Sequence, residues 1–265
     1  MSFQPVIIGS GLPAWSLLND TLERQQALHA STYQSKSDTA HFLGKFDKLQ
    51  TAEDVVSDRR LLRVVLGAYG LADDIDNRHF IKTVLSEGVA DSSALANKLS
   101  DQRYRSLAKD FDFSTSPPMP SRSPDLAKKT IAAFRIQTFE EAVGETNNNM
   151  RLALSFQRSL QDLTSNATSN AAAWYQVMAT PPLREVFQTA LGLPSSFSNL
   201  DIDDQHSRFL TKANDVFGTN DVAELAEKDL SETIVRRFLV LQQSQQVSVA
   251  NRFETALTLL SAGRA

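Results

Sequence analysis

The chain has 265 residues, of which 42% are hydrophobic, so it can bury one large hydrophobic core or two smaller ones. Its formal net charge of −4 gives no electrostatic basis for nucleic-acid binding, and the absence of cysteine excludes a disulfide framework or a thiolate metal site. The N-terminus has no basic lead, and no apolar segment reaches the roughly 20 residues that span a bilayer. We therefore expect a soluble globular protein with neither a cleavable secretory signal nor a membrane span.

The first motif is V-I-I-G-S-G-L-P-A at residues 6–14, where an apolar run precedes the spacing G-x-G-x-x-A. Many dinucleotide-binding domains begin this way, but they need a second strand that ends in an acidic residue about 20 positions later. Residues 21–36 instead have the composition of a polar helix and no β-branched run. We interpret the motif as an extended arm that docks onto the helices, with Ala14 and Trp15 opening the first helix.

Apolar residues spaced by three and four positions predict two helices after the arm, the second starting near Ser37 or Asp38. Thr51 and Asp54 form the pattern of a capping box for a short helical turn. Three further helices are predicted before residue 113, and the first of them follows an acidic link at 73–77 and ends at Gly88.

The pattern of residues 58–71 recurs at 180–193. Each copy has a capping residue, an apolar stripe at i, i+3, i+4, i+7 and i+8, and a Gly-Leu stop. The predicted caps are Asp58 and Thr180, with Pro181 at the first helical position of the second copy. A weaker echo begins at Ser100. We predict that the first two copies descend from one helical unit; the alternative is chance similarity between short capped helices.

A proline-rich link at 114–124 predicts an extended boundary between two halves. Beyond this link, one helix is predicted to begin at Pro124 and a second after Asn147. The second repeated unit forms the next helix, and another runs through Phe209 and ends at Gly218. The last predicted helices lie near 222–227, 230–243 and 252–260. The predicted fold is all-α, with two related multi-helix arrays packed together and no sheet, divided into an N-terminal helical repeat at 1–116 and a C-terminal helical repeat at 117–265. The predicted core comprises Trp15, Phe42, Phe46, Leu61, Val64, Val65, Ala68, Leu152, Phe156, Trp174, Val186, Phe187, Phe209 and Leu210.

The acidic links at 73–77 and 201–205 are the carboxylate clusters that most resemble a magnesium or calcium site. Each lies just before a predicted helix, where Asp and Asn side chains accept hydrogen bonds from free N–H groups. Because capping accounts for both, we predict that neither cluster binds a divalent cation tightly. Their carboxylates are Asp73, Asp74 and Asp76, and Asp201, Asp203 and Asp204.

Basic residues off the apolar stripes can bind anions or acidic partners, but they more commonly form a solvated or salt-bridged face, which is the interpretation adopted here. These residues are Arg59, Arg60 and Arg63 in the first copy, and Arg236 and Arg237 near the end. The histidines have no metal-ligand spacing and are interpreted as surface or packing residues: His29, His41, His79 and His206. No catalytic, cofactor-binding or metal-binding residue is assigned, and no cofactor is expected.

Several short motifs occur in a fixed order: S-D-R-R-L-L at 57–62, A-Y-G-L at 68–71, L-A-N-K-L-S-D-Q-R-Y at 95–104, F-D-F at 111–113, F-E-E-A-V-G at 139–144, M-R-L-A-L at 150–154, P-P-L-R at 181–184 and A-L-G-L-P at 190–194. Together they resemble the bacterial family known as domain of unknown function twelve-seventeen, which is typical of alphaproteobacteria and often encoded among flagellar genes. The resemblance extends from about Trp15 to Leu239, and Asp112 stands where this family pattern has Gly.

The resemblance implies an α-helical protein with a role in flagellar assembly, structure or motility, and it supplies no catalytic residues. We therefore expect a non-enzymatic interaction protein whose partner is a protein, such as a flagellar component. Two alternatives remain: a cytoplasmic export chaperone or regulator that holds a flagellar subunit, and an enzyme with an unrecognised site. The expected location is the cytoplasm, or outside the cell after export through the flagellar secretion system.

Overall fold

The computed structural model describes residues 3–118, 123 and 125–244. In this part of the chain the regular elements are helices and no strand occurs, which confirms the predicted all-α class. The α-helices are α1 Gly11–Ala30, α2 Tyr33–Phe46, α3 Ala52–Val56, α4 Arg59–Ala68, α5 Arg78–Glu87, α6 Leu95–Lys98, α7 Gln102–Asp110, α8 Leu126–Thr146, α9 Asn148–Asn166, α10 Asn170–Ala179, α11 Pro181–Ala190, α12 Ile202–Phe217, α13 Val222–Leu225 and α14 at 228–244. Short 3₁₀ turns occur at Ala72–Asp74 and Ser195–Asn199. The predicted helix at 252–260 lies outside the described residues.

The described residues form two compact units. The first unit contains the residues up to Val6 together with Thr21–Thr146, and the second contains Ile7–Asp20 together with the residues from Asn147 onward. Helix α8, which the sequence analysis placed in the second half, lies in the first unit because it packs against α4. The assignment of 1–116 and 117–265 to two repeats stays a prediction.

Hydrogen bonds at the helix starts match most of the predicted caps. Asp58 accepts bonds from the backbone N–H groups of the first turn of α4, at 3.1 Å each, and Thr51 and Asp54 form the predicted capping box of α3. Asp101 caps α7 and Asn147 caps α9 in the same way. Each cap satisfies donors that the helix itself leaves without a partner, which stabilises a helix by about 1 kcal/mol.

The predicted start of α2 and the predicted cap of α11 are wrong. Helix α2 begins at Tyr33 rather than near Ser37, because the hydroxyl of Thr32 caps it by accepting a bond from the N–H of Ser35 at 3.3 Å. Thr180 does not cap α11, since its hydroxyl donates to the carbonyl of Gln176 at 2.8 Å. The fixed φ of Pro181 begins α11 instead, as predicted for that residue.

The core of the first unit surrounds α4. Five apolar residues of this helix are buried to 1% exposure or less, and they lie on several sides of it: Leu61, Leu62, Val64, Val65 and Leu66. Helices α2, α3 and α8 pack against them. Gly67 allows a close approach of α8, because a Cβ atom at this position would lie 2.8 Å from Cδ2 of Phe134.

The second unit has an aromatic core. The ring of Phe187 lies 5.1 Å from those of Phe156 and Trp174, and Trp174 stacks on Phe209 at 5.5 Å. The indole N–H of Trp174 donates to the carbonyl of Asn220 at 2.8 Å, so the polar atom of this buried ring has its partner. The predicted core residues are buried with one exception, Leu210, which is partly exposed on α12.

Helices α4 and α11 end with the same geometry. Gly70 and Gly192 have φ values of 68° and 69°, and the leucine after each glycine donates its N–H five residues back, to Leu66 in α4 and to Gln188 in α11, at 2.9 Å. The same four elements follow α4 and α11 in the same order. They are a 3₁₀ turn, a helix that ends at a glycine of positive φ, a four-residue helix and one more helix. This shared order is what common descent predicts; the descent itself stays a prediction.

The N-terminal arm docks onto a helix of the first unit, as the sequence predicts. Both backbone groups of Val6 bond to the side-chain amide of Gln25 in α1, N–H to Oε1 at 2.8 Å and carbonyl to Nε2 at 3.1 Å. The arm forms no strand within residues 3–8, so the G-x-G-x-x-A spacing lacks the strand that a dinucleotide fingerprint requires. Helix α1 begins at Gly11, three residues before the predicted start.

Candidate functional site

The arginines of α4 are bound to carboxylates, as the salt-bridged interpretation predicts. Asp38 of α2 is 1% exposed, and its carboxylate accepts from Nε of Arg60 at 3.2 Å and from Nη1 of Arg63 at 3.5 Å. Gln34 donates to the same carboxylate at 2.6 Å. These bonds compensate for removing a charge from water, so the group fastens α2 to α4.

Carboxylates of the first acidic link interact with side chains of other elements and do not cap the helix that follows. Asp76 pairs with Arg59 at 2.6 Å, which lowers the pKa of its carboxyl group. Asp74 accepts from the hydroxyl of Tyr104, and burial together with this bond raises the pKa of Tyr104 to about 12. Asn77, at the cap position of α5, makes no side-chain cap bond. The capping prediction is therefore wrong for this link.

The second acidic link does cap a helix, as predicted. Asp201 accepts from the backbone N–H of Asp203 at 2.9 Å at the start of α12. The carboxylate of Asp203 then accepts from the hydroxyl of Tyr175 at 3.0 Å. In the part of the chain that the structure describes, no group of three histidine, aspartate or glutamate side chains is placed to hold a metal ion.

A partly buried tyrosine at the end of α4 connects this helix to α7 in the first unit. Tyr69 donates to Asp110 at 2.7 Å, and Lys129 of α8 reaches the same carboxylate oxygen at 2.8 Å. Burial and the adjacent carboxylate raise the pKa of Tyr69 far above its usual value. The hydroxyl therefore stays protonated and acts as a donor that orders these three helices.

The histidines occupy packing and surface positions in these units. His41 bonds to Asp58 at 2.7 Å, His206 stacks on Tyr175 with ring centroids 4.6 Å apart, and His79 is exposed. His29 is partly buried between the rings of Phe3 and Phe139, and its Nε2 lies 3.0 Å from the hydroxyl of Thr138.

Burial lowers the pKa of His29, which gives a prediction for stability against pH. Unfolded His29 takes up a proton as the pH falls through about 6.5, and folded His29 does so only at a lower pH, so the free energy of unfolding should fall as the pH drops below about 6.5. Urea denaturation at pH 8, 7, 6 and 5 measures this slope. His29→Gln should flatten it, and identical slopes for the two proteins would show that His29 is not the group responsible.

Exposed apolar residues lie on α1 and on the outer side of α2 in the first unit. Tyr33 is 86% exposed, and Leu28 and Leu43 are each 51% exposed. The other three tyrosines each donate a hydrogen bond to an aspartate, whereas in the described residues the hydroxyl of Tyr33 has no partner. Tyr33 lies opposite the side of α2 that packs against α4 and α8, and Leu43, ten residues later, lies about 80° from Tyr33 around the helix and beside the packed side. We call Leu28, Tyr33 and Leu43 the α2 patch.

The second unit contains an open hollow of about 330 Å³ beside α11, and most of the residues around it are polar. A buried glutamine orients its arginine: Arg184 donates to Oε1 of Gln205 at 2.6 Å, and Nε2 of Gln205 donates to the carbonyl of Leu200 at 2.7 Å. Gln188 donates to the carbonyl of Pro194 at 2.9 Å. We call this feature the Arg184 hollow. It is lined by Pro181, Arg184, Glu185, Gln188, Thr189, Ser198 and Gln242.

Sequence reasoning missed both surfaces. Because the start of α2 was predicted near Ser37, Tyr33 was assigned to the preceding polar helix and not to the first turn of α2. Thr32 was the capping residue that could have placed it there, since its hydroxyl accepts from the N–H of Ser35. No local signal joins Arg184 to Gln205, since the two lie on different helices.

The elements and their contacts define an all-α protein in which many of the charged groups pair with one another. The family model described as "Protein of unknown function (DUF1217)" matches residues 68–230, more than half of the chain, and the chain belongs to this family. The crystal structure of protein AGR_C_984 from Agrobacterium tumefaciens is similar, with a TM-score of 0.73 and 26% sequence identity over 91% of this chain and 97% of that chain. No curated protein matches the sequence. No helix in the described residues is long and apolar enough to cross a membrane.

Proposed function

We propose that this protein is a non-enzymatic interaction protein of the flagellar system that binds another protein through the α2 patch. The observation that carries the proposal is Tyr33, whose ring is almost fully exposed and whose hydroxyl has no hydrogen-bond partner in the described residues. An exposed tyrosine offers a large apolar ring and one polar atom at a small cost in side-chain entropy, and tyrosines are common among the residues that dominate binding energy at interfaces.

Two leucines extend this apolar surface. Leu28 lies in the last turn of α1, and Leu43 lies on α2. Scattered exposed apolar residues are ordinary on a protein surface, so the proposal rests on Tyr33 itself, with Leu28 on the other side of the α1–α2 junction and Leu43 about 15 Å further along α2. A partner that presents an apolar helix face with one acceptor for the Tyr33 hydroxyl fits this surface.

The flagellar part of the proposal is supported by the family to which the chain belongs, since the resemblance noted above implies a role in flagellar assembly, structure or motility. Gene context is an association and gives no mechanism, so the flagellar role has to be tested by a genetic experiment. The export-chaperone alternative uses the same patch and differs in where the complex forms, in the cytoplasm or in the assembled flagellum.

Deletion of the gene should impair swimming, and the wild-type gene should restore it. The double variant Tyr33→Ala/Leu43→Ala should fail to restore swimming while folding normally, because truncating a tyrosine that dominates an interface costs about 2 kcal/mol or more of binding free energy. Motility in soft agar and electron microscopy of the filaments measure the effect. The matched control is Ser106→Ala, a substitution at an exposed position on α7 of the same unit.

Normal swimming and normal filaments after deletion would refute the flagellar role. Full restoration by the double variant would refute the role of the α2 patch. If restoration fails as expected, co-purification from separated fractions distinguishes the alternatives: a chaperone travels with one subunit in the cytosol, and a structural component travels with basal bodies.

A further inference from the structure

The Arg184 hollow occupies a position on α11 whose counterpart on α4 is covered. The shared glycine stop aligns the two helices, so that Leu62 corresponds to Arg184, Leu66 to Gln188 and Gly67 to Thr189. In the first unit all three counterparts are buried, and α2 and α8 pack against α4. In the second unit Arg184, Gln188 and Thr189 are partly exposed and line the hollow.

Two side chains of opposite charge line the hollow, Arg184 and Glu185, and no ion pair joins them. The guanidinium of Arg184 is oriented by Gln205, a side chain only 5% exposed that is itself fixed by the carbonyl of Leu200. Glu185 is exposed and makes no hydrogen bond or ion pair with any other described residue. An arginine held in one orientation by a buried amide has lost much of its side-chain entropy in advance, so it binds a carboxylate at lower cost than a free one.

We propose that the Arg184 hollow docks a polar helix of a partner protein, which presents a carboxylate to Arg184 and a basic side chain to Glu185. This proposal rests on the proposed function, since it assigns the same protein a second contact with a protein partner. A helix fits because helices cover the matching face of α4, and the paired charges define the complementary side chains. The hollow is open to solvent, whereas most pockets that hold small molecules are enclosed, and this openness suits a reversible protein contact.

The test places a photoreactive amino acid at Gln188 of the full chain in cells that express it. Irradiation should give an adduct with one protein, and the crosslinked segment should contain an acidic and a basic residue three or four positions apart. Arg184→Glu should lower the adduct yield about tenfold, as expected when a charge-assisted contact becomes a repulsive one. Changing the partner's acidic residue to lysine should restore the yield.

Two further variants keep the test decisive. Glu185→Lys alters the opposite charge without touching Gln205, so it should lower the yield even if Arg184→Glu disturbs folding, and the reverse change in the partner's basic residue should restore it. The control is Arg208→Glu, at an exposed position on α12 away from the hollow. It changes the net charge by the same amount as Arg184→Glu and should leave the adduct yield unchanged. The proposal would be overturned by any of three results. The first is an adduct whose yield does not change in the Arg184 and Glu185 variants, the second is an adduct with residues 245–265 or with a second copy of this chain, and the third is the absence of any adduct.

The outcome separates this proposal from the proposed function. An adduct that depends on Arg184 in cells whose motility is unaffected by gene deletion would keep the docking site and refute the flagellar role. Lost motility in the α2-patch variant, without an adduct at Gln188, would support the flagellar role and refute the docking site.

Discussion

Replacing Phe187 by alanine should lower the free energy of unfolding by about 3–5 kcal/mol. The Phe187 side chain is fully buried, and its ring contacts both Phe156 and Trp174 in the aromatic core of the second unit. The loss combines the transfer of the ring to water with the cavity left behind, because large neighbouring rings close such a space only partly. A domain is stable by only about 5–15 kcal/mol, so this single change removes a large fraction of its stability.

Guanidinium denaturation followed by tryptophan fluorescence measures this effect in the relevant unit. The chain has two tryptophans, Trp15 and Trp174, and both belong to the second unit. The control is Val240→Ala on α14 of the same unit, where the side chain is 49% exposed and the change should be within about 0.5 kcal/mol. Equal midpoints for the Phe187 variant and the wild type would contradict the aromatic core described above.

Replacing Gly67 by alanine should destabilise the first unit, although alanine is the better helix former. The new Cβ atom would lie 2.8 Å from Cδ2 and 3.0 Å from Cε2 of Phe134, which is itself buried and cannot move away freely. Overpacking of this kind typically costs about 1–3 kcal/mol. The helix-propensity gain of up to about 1 kcal/mol offsets only part of the largest expected cost.

The matched control is Gly44→Ala on α2. Gly44 is also inside a helix, but no atom lies within 4 Å of the position of an added Cβ. This variant should raise stability by about 0.5–1 kcal/mol, so the difference between the two variants isolates the clash with Phe134. Far-UV circular dichroism during thermal unfolding measures both, and a stabilised Gly67 variant would mean that α8 does not pack closely on α4. In a Phe134→Leu background the cost of Gly67→Ala should shrink, because the two residues share one contact.

The sequence predicted the helices and many of their ends because those features depend on residues within one turn. Asp58 caps α4 through N–H groups two and three residues away, and Gly70 stops the same helix because it adopts a positive φ. The apolar stripe that runs from Leu61 through Val65 identified the buried side of α4 for the same local reason. The error at α2 was also local, since Thr32 was overlooked as the cap.

The candidate surfaces could not be predicted from these local patterns. Whether Tyr33 is covered depends on which helices pack around α2, and the orientation of Arg184 depends on Gln205, which lies on another helix. A stripe of apolar residues specifies that one side of a helix is buried, but it does not specify what lies on the other sides.

Helices α4 and α11 show this division most clearly. Their stripes and their glycine stops are alike and were read from the sequence, and both form ten-residue helices whose stripe is buried. Only the tertiary structure decides that Gly67 lies beneath Phe134, whereas its counterpart Thr189 faces a hollow. The physical reason is that a stripe is set by side chains three and four residues apart, while the cover over the remaining sides comes from helices brought close by folding of the whole unit.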